Sequence, residues 1–268
     1  MSRKISGGLA GIVNAATLLS KPYRRRITRA LVCERMVQTV EIDANGVPLR
    51  FQSTTARSLH DVLKFGDDEP ETIQWIASLE PGVLWDVGAN IGLYSLYAAA
   101  LGHTVVAFEP SAASFAAFAR NTEINGLSDK ISAYCVALSD KTQQGTLWMA
   151  NSDAGHSMHS IVDNGGKRVR QAIPTFTATD FQRLMNLDMP DYLKVDVDGI
   201  EGAVFDGTAG LDSIRSILIE AESDDEQKAI TEKIRERGFV LNASGVYQGG
   251  RNLVFDKTPT PAATLQTN

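Results

Sequence analysis

From Gly82 onward the chain alternates short apolar runs with helix-forming segments, and this alternation limits the fold more than any other feature. "GVLWDVG", "TVVAFEP", "ISAYCVALSD", "YLKVDVDG" and "SILIEAE" read as five strands. "GLYSLYAAALG" and "SAASFAAFARNTEING" read as helices closed by Gly102 and Gly126, and "DDEQKAITEKIRERG" is a further helix after the fifth strand. Strands that alternate with helices are joined by crossovers, which gives a mostly parallel sheet with helices on both faces. "FVLNAS" and "RNLVFDK" are two late strands with a short connection, so they pair antiparallel.

Upstream of this α/β unit, "VEIDANGVPLRF" is a pair of alternating runs around Asn45-Gly46, a hairpin signal. "DDEPETIQWIASL" reads as a helix, with acids at its start, Pro70 in its first turn, and Ile73, Ile76, Ala77 and Leu79 as its apolar face. The chain therefore divides into a basic amphipathic extension (1–35), a hairpin and helical lid (36–80), the α/β domain (81–257) and a disordered tail (258–268). Residues 151–172 are polar, glycine-containing and without a clear period, as in a binding loop or a disordered one.

The charge is uneven. The first 33 residues hold seven basic side chains and no acid, while the rest of the 268-residue chain carries 19 basic and 32 acidic ones. An acidic body argues against nucleic acid as a partner, since that requires a basic face over the fold itself. In the extension, Ile5, Leu9, Ile12, Val13, Ala16 and Leu19 fall on one helical face ahead of an arginine cluster. That pattern fits peripheral membrane contact through residues 1–30, a targeting segment, or a packing helix with a solvated basic end. Two cysteines, Cys33 and Cys135, form no disulfide framework and suit a cytoplasmic setting, with membrane association left open.

The first strand of the α/β unit ends in "LWDVGANIGLYS". A dinucleotide fingerprint places glycines at G-x-G-x-x-G so that backbone can approach a pyrophosphate. Here Asn90 takes the middle position between Gly88 and Gly92, and Leu93 takes the third. No Gly-Lys-Ser/Thr follows, which excludes a P-loop. Asp86 at the strand tip is unfavourable beside a pyrophosphate but favourable beside an ammonium group. Glu109, 21 residues after Gly88, stands at the tip of the second strand, where a carboxylate accepts both ribose hydroxyls. Asp86, the glycine turn and Glu109 together suit S-adenosyl-L-methionine, whose carboxylate would meet the free amides of the turn, better than NAD.

With these residues in place, the chain resembles the FkbM family of S-adenosylmethionine-dependent methyltransferases. The resemblance is carried by "DVGANIGLYS", "VVAFEP", "NTEINGL", "VALSD" and "YLKVDVDGIEGAVFDG", in that order, over residues 69–256. It implies the class I methyltransferase sheet, Rossmann-like and mostly parallel with its last strand antiparallel, preceded here by the N-terminal helix and β-hairpin extension. It implies O-methylation of a hydroxyl on a saccharide, glycan or glycosylated natural product, as in polysaccharide biosynthesis. It assigns Asp86, Gly88, Asn90 and Gly92 to the methionine end, Glu109 to the ribose, and Pro110, Ser111, Ala137 and Leu138 to the adenine pocket. Where the family often reads "KIDVEGxE", this chain has "KVDVDGIE" at 194–201, so that Asp198 stands in place of a longer glutamate.

Methyl transfer from a sulfonium is an in-line displacement that needs a held hydroxyl and a group to take its proton. Asp196 ends a strand on the same sheet edge as the glycine turn, and is the candidate base or a ligand of a divalent ion such as Mg²⁺. Asp198 and Glu201 would complete an oxygen-rich metal site, or act as helix N-terminal charges. Lys194 would orient the acceptor or pair with these acids. Glu220 is a further acid at a strand end, and Glu69 with Thr72 belongs to the lid. His156, with His159, is a candidate base or acceptor ligand from the uncommitted loop, while His60 and His103 read as structural. Trp75 and Trp85 read as core, and Trp148 as either core or platform. Two other functions compete: a metal-dependent glycosyltransferase using Asp196 and Asp198 as a D-x-D pair, and a non-catalytic adenosylmethionine-binding module. The identity of the hydroxylated acceptor and the oligomeric state stay open.

Overall fold

Two helices, α1 (Ser2–Ala16) and α2 (Pro22–Met36), lead the chain in a computed structural model that describes residues 2–155, 161, 169–242 and 251–258. The arginine cluster is thus the start of a second helix, and Leu19 lies in the connection between the two rather than on the face of α1. A hairpin follows, β1 (Gln38–Ala44) and β2 (Val47–Ser53), paired antiparallel. Asn45 and Gly46 both take positive φ, 52° and 84°, as its two-residue turn requires. The hairpin is fastened to the body through its edge: the Arg50 and Gln52 amides donate to the Oδ1 atoms of Asn125 and Asn121. Leu49 and Phe51 enter the core from the same strand.

The segment between the hairpin and β3 has more structure than its sequence suggested. Helix α3 (Ala56–Leu63) is capped by Thr55, and α4 (Pro70–Ser78) is the expected helix. Trp75 on α4 donates through Nε1 to Ser216 Oγ, and Asn252 donates to Glu71, which ties α4 to the central sheet.

From here strand and helix alternate: β3 (Val83–Val87), α5 (Leu93–Ala100), β4 (Thr104–Phe108), α6 (Ala112–Asn125) and β5 (Ile131–Tyr134). "ISAYCVALSD" does not stay one strand. After Tyr134 the chain leaves the sheet, and β6 (Ala137–Leu138) pairs instead with β8 (Val169–Phe176). β8 pairs antiparallel with β7 (Gln143–Met149), so 169–172 of the uncommitted stretch is strand. The chain continues as α7 (Ala178–Met185), β9 (Tyr192–Val195), α8 (Glu201–Asp206), β10 (Ser216–Glu220), α9 (Asp224–Glu236), β11 (Phe239–Leu241) and β12 (Asn252–Lys257).

The central seven-stranded sheet has the order β11-β12-β10-β9-β3-β4-β5. Strands β5, β4, β3, β9 and β10 run parallel, and β12 is antiparallel to both neighbours. This is the class I methyltransferase sheet. Successive strands step outward from β3 in one direction and from β9 in the other, so the order reverses between β3 and β9. Open α/β sheets bind ligands at the carboxyl ends of the strands flanking such a reversal. One core lies between the sheet and the hairpin, α4, α5 and α6; the other lies between the sheet and α7, α8 and α9. The proposed disordered tail, apart from Thr258, lies outside the described residues.

Candidate active site

The reversal point is built from backbone. Val87 and Val195 are register partners, and the Asp196 amide donates to the Val87 carbonyl at 3.0 Å. Gly88 follows with φ +89°, and a Cβ there would lie 1.8 Å from the Asp196 carbonyl oxygen. Only glycine fits so close an approach. Gly92, at φ +90°, caps the start of α5, and a Cβ there would meet the Phe118 ring at 2.1 Å. Asn90 between them takes a left-handed φ of 49°.

This geometry corrects one expectation about the turn. Four of its five amides are not free: those of Gly88 and Ala89 donate to the Phe108 carbonyl, that of Asn90 to Glu109 Oε2 at 2.7 Å, and that of Gly92 to the Ala89 carbonyl. The left-handed turn folds the first three back onto Phe108 and Glu109 at the end of β4 and closes the fourth on itself. What the turn offers instead is the first turn of α5 and the Oδ1 of Asn90, a buried acceptor with no partner among the described residues.

A cavity of about 550 Å³ opens beside the turn. Gly88, Asn90, Leu93 and Tyr94 form one wall. Phe108, Pro110, Val136, Ala137, Leu138 and Leu147 form an apolar slot, with Glu109 between. Both Glu109 oxygens accept backbone amides, from Asn90 and Ser111. Burial raises the Glu109 pKa to about 7 against the pull of those amides. The third wall is charged: Asp196, Asp198, Glu220, Glu222 and Arg251 from the carboxyl ends of β9 and β10 and the start of β12, facing Glu69. Arg57, Asp61 and Lys64 reach it from the lid. The cavity thus joins the glycine turn, Glu109, Pro110, Ala137, Leu138, Asp196 and Asp198.

Four of the residues singled out in the sequence stand outside the lining. Asp86 is fully buried, accepts a 2.6 Å hydrogen bond from Ser95 Oγ, and lies 3.7 Å from Lys194 Nζ. It faces α5 and the core, because the pleat of β3 sends its side chain away from the ligand edge. Gly92 packs behind the turn, and the Ser111 hydroxyl caps α6. Lys194 is 1% exposed and lies beneath the cavity floor. His156 and His159 lie outside the described residues.

Lys194 organises the acids above it. Its Nζ lies 2.8 Å from Asp196 Oδ2, 3.7 Å from Asp86 and 4.8 Å from the centre of the Tyr94 ring. Burial disfavours its charge, but Asp196, Asp86 and Glu69 together raise its pKa. Burial also works against Asp196, yet Lys194 and a hydrogen bond with Glu220 hold its carboxyl below the usual range. Glu220 moves the other way: burial and the Asp196 charge push it up to about 9, despite Arg251 at 3.3 Å. The Asp196 charge thus favours the protonated form of Glu220 beside it. Glu69, raised by burial and by Asp196, accepts from the Tyr94 hydroxyl at 2.7 Å and so ties the lid to α5.

Among the described residues, no group of three His, Cys, Asp or Glu side chains is arranged to hold a metal ion. Glu201 turns inward, where its Oε1 accepts the Val197 and Gly199 amides. Sequence reasoning missed Tyr94, Arg57, Lys64, Arg251 and Glu222. The only signal for α3 was Thr55 ahead of its short apolar pattern.

The FkbM methyltransferase domain matches residues 86–241. Hexuronic acid methyltransferase AglP of Haloferax volcanii is 25% identical over 229 residues, covering 82% of this chain and 90% of that one. Methyltransferase 1 of Beauveria bassiana is 31% identical over 153 residues, 50% of this chain and 60% of its own length. Among solved structures, a precorrin-6Y C5,15-methyltransferase of Geobacter metallireducens is 13% identical, with a TM-score of 0.44 over 72% of this chain and 88% of that chain. The sheet order, the glycine turn and the matched span agree: the chain belongs to the FkbM methyltransferase family and is an S-adenosylmethionine-dependent methyltransferase.

Proposed function

We propose that the protein methylates a hydroxyl group of a saccharide, glycan or glycosylated natural product, with Asp196 taking the hydroxyl proton. The observation that carries this reading is the Asp196 carboxylate, held 2.8 Å from Lys194 Nζ and lining the same cavity as the glycine turn. When bound, S-adenosylmethionine supplies an electrophilic methyl group on a sulfonium. Its amino-acid end would lie at the first turn of α5, with the ammonium near Asn90 Oδ1, the unpartnered acceptor. Glu109 keeps lone pairs for the ribose hydroxyls after accepting its two amides. Pro110, Ala137 and Leu138, with Leu147, would enclose the adenine.

An acceptor hydroxyl in the cavity would meet Asp196 on the side away from the donor. The donor would supply the methyl carbon to the acceptor oxygen, with the electron pair of the carbon–sulfur bond leaving on sulfur. The proton passes to Asp196. A carboxylate is a weak base for an alcohol, so the transfer must accompany bond formation rather than precede it. Lys194 holds Asp196 in place from below, Asp86 holds Lys194, and the Ser95 hydroxyl holds Asp86. Asp86 and Lys194 are thus positioning residues. The sugar character of the acceptor draws support from the relative that is a hexuronic acid methyltransferase.

The test is transfer of labelled methyl from donor to a panel of uronic acids, neutral hexoses, amino sugars and phenols, with Mg²⁺ and with a chelator. Label on a sugar hydroxyl, unchanged by the chelator, is the expected result. Label only on phenols removes the saccharide reading, and a strict need for Mg²⁺ moves Asp196 and Asp198 to metal ligation.

A further inference from the structure

Helices α1 and α2 are a linked pair that the chemistry of the cavity leaves unused. On α1, Ile5, Leu9 and Ile12 repeat at helical spacing and are 54%, 50% and 64% exposed. On α2, Tyr23, Ile27 and Leu31 recur every four residues and are 76%, 46% and 46% exposed, and no residue of α2 is buried. The helix pair is fastened at its connection by arginines. Arg25 donates to the Thr17 and Leu18 carbonyls at 3.1 and 2.5 Å, and Arg29 to Thr17 Oγ1 and the Asn14 carbonyl at 3.0 and 3.3 Å. Each helix therefore keeps an apolar stripe in water, on a small element with its own internal fastening.

Charge chooses what covers these stripes. The segment holds seven cations and no acid through residue 33. A second copy would set seven cations against seven, at the cost of like-charge repulsion. Anionic lipid offers the opposite sign together with an apolar boundary for the stripes. The rest of the chain, with 32 acids against 19 bases, is repelled by the same surface, which confines the contact to the helix pair. Each helix has 15 residues, about 22 Å of rise, too short for a hydrocarbon core of about 30 Å.

We propose that α1–α2 is a membrane-docking helix pair that lies on an anionic lipid surface, with its apolar stripes at the acyl boundary and Lys4, Arg24 and Arg26 at the headgroup phosphates. The test is sedimentation of the full-length chain with vesicles of phosphatidylglycerol and phosphatidylcholine, and with phosphatidylcholine alone. Binding to the anionic vesicles only, weakened by salt, is expected. R24E/R26E, which spares Arg25 and Arg29 and so the fastening of the pair, lowers partitioning at least tenfold. The triple variant I5S/L9S/I12S, at exposed positions, lowers it by a similar factor, with helix content unchanged by circular dichroism. Equal binding to both vesicles, no loss in either variant, or self-association through the helix pair in lipid-free sedimentation velocity would each overturn the proposal.

Discussion

At the glycine turn the cavity wall is backbone; at its charged side the wall is side chains. The first wall is set by φ angles at Gly88, Asn90 and Gly92 and by hydrogen bonds that close within four residues or onto the next strand. The second is set by Lys194, Asp196, Glu220, Glu69 and Arg251, which arrive from β9, β10, the lid and the start of β12. A backbone wall suits a ligand shared by a whole family, since it tolerates almost any surrounding side chain. A side-chain wall suits an acceptor that differs among relatives, because each of its groups can be exchanged separately.

Substitutions separate the two walls. The largest effect on stability is expected for Lys194→Met, which leaves Asp86 and Asp196 facing each other without their shared cation. Removing one partner from a buried ion pair costs about 3–5 kcal/mol, to be read by denaturant unfolding. Gly88→Ala is next, at about 2–4 kcal/mol from its positive φ and the Asp196 carbonyl in its way. It should also abolish adenosylmethionine binding in calorimetry, whereas Glu69→Gln at the charged wall should leave that binding within about threefold. Tyr94→Phe removes the hydroxyl that ties the lid to α5, and should lower turnover by about fivefold, the worth of one hydrogen bond.

A further effect depends on pH and concerns Glu201, whose Oε1 accepts the Val197 and Gly199 amides. Burial, ahead of the opposing amides, pushes Glu201 up to about 8. In the unfolded chain it titrates near the ordinary glutamate value, so its contribution to stability is complete below that value and is lost as pH rises toward 8. Glu201→Gln should therefore gain on the wild type between pH 4.5 and 8 in thermal unfolding, with the two nearly equal at the acid end. A gap that stays constant with pH would show that Glu201 folds ionised.

How far the sequence could be read follows the same division. The hairpin at Asn45-Gly46 and the turn at 88–92 are local, because their glycines and asparagines answer φ requirements within a few residues. The parallel sheet was legible because each of its strands is an apolar run between helical patterns. The small β6-β8-β7 sheet was not. β7 begins with Gln143, Gln144 and Gly145, and its partner β8 lies across a long connection. "ISAYCVALSD" read as one strand because its apolar residues run on after the chain has turned out of the sheet at Tyr134. At the site, Asp196 was found by its place at a strand end. The direction of Asp86 was misjudged because a strand's pleat, not its tip, decides where a side chain points. Tyr94, Arg57 and Arg251 carry no local mark; only the folded chain brings them to one cavity.

The most direct test of the central claim is Asp196→Asn, measured twice on the same preparation. If the methyl donor is held by the turn and the acceptor proton is taken by Asp196, adenosylmethionine should bind within about threefold of wild type, while turnover falls by roughly 10²–10⁴. Turnover that survives the substitution, with donor binding intact, would contradict the assignment of Asp196 as the base.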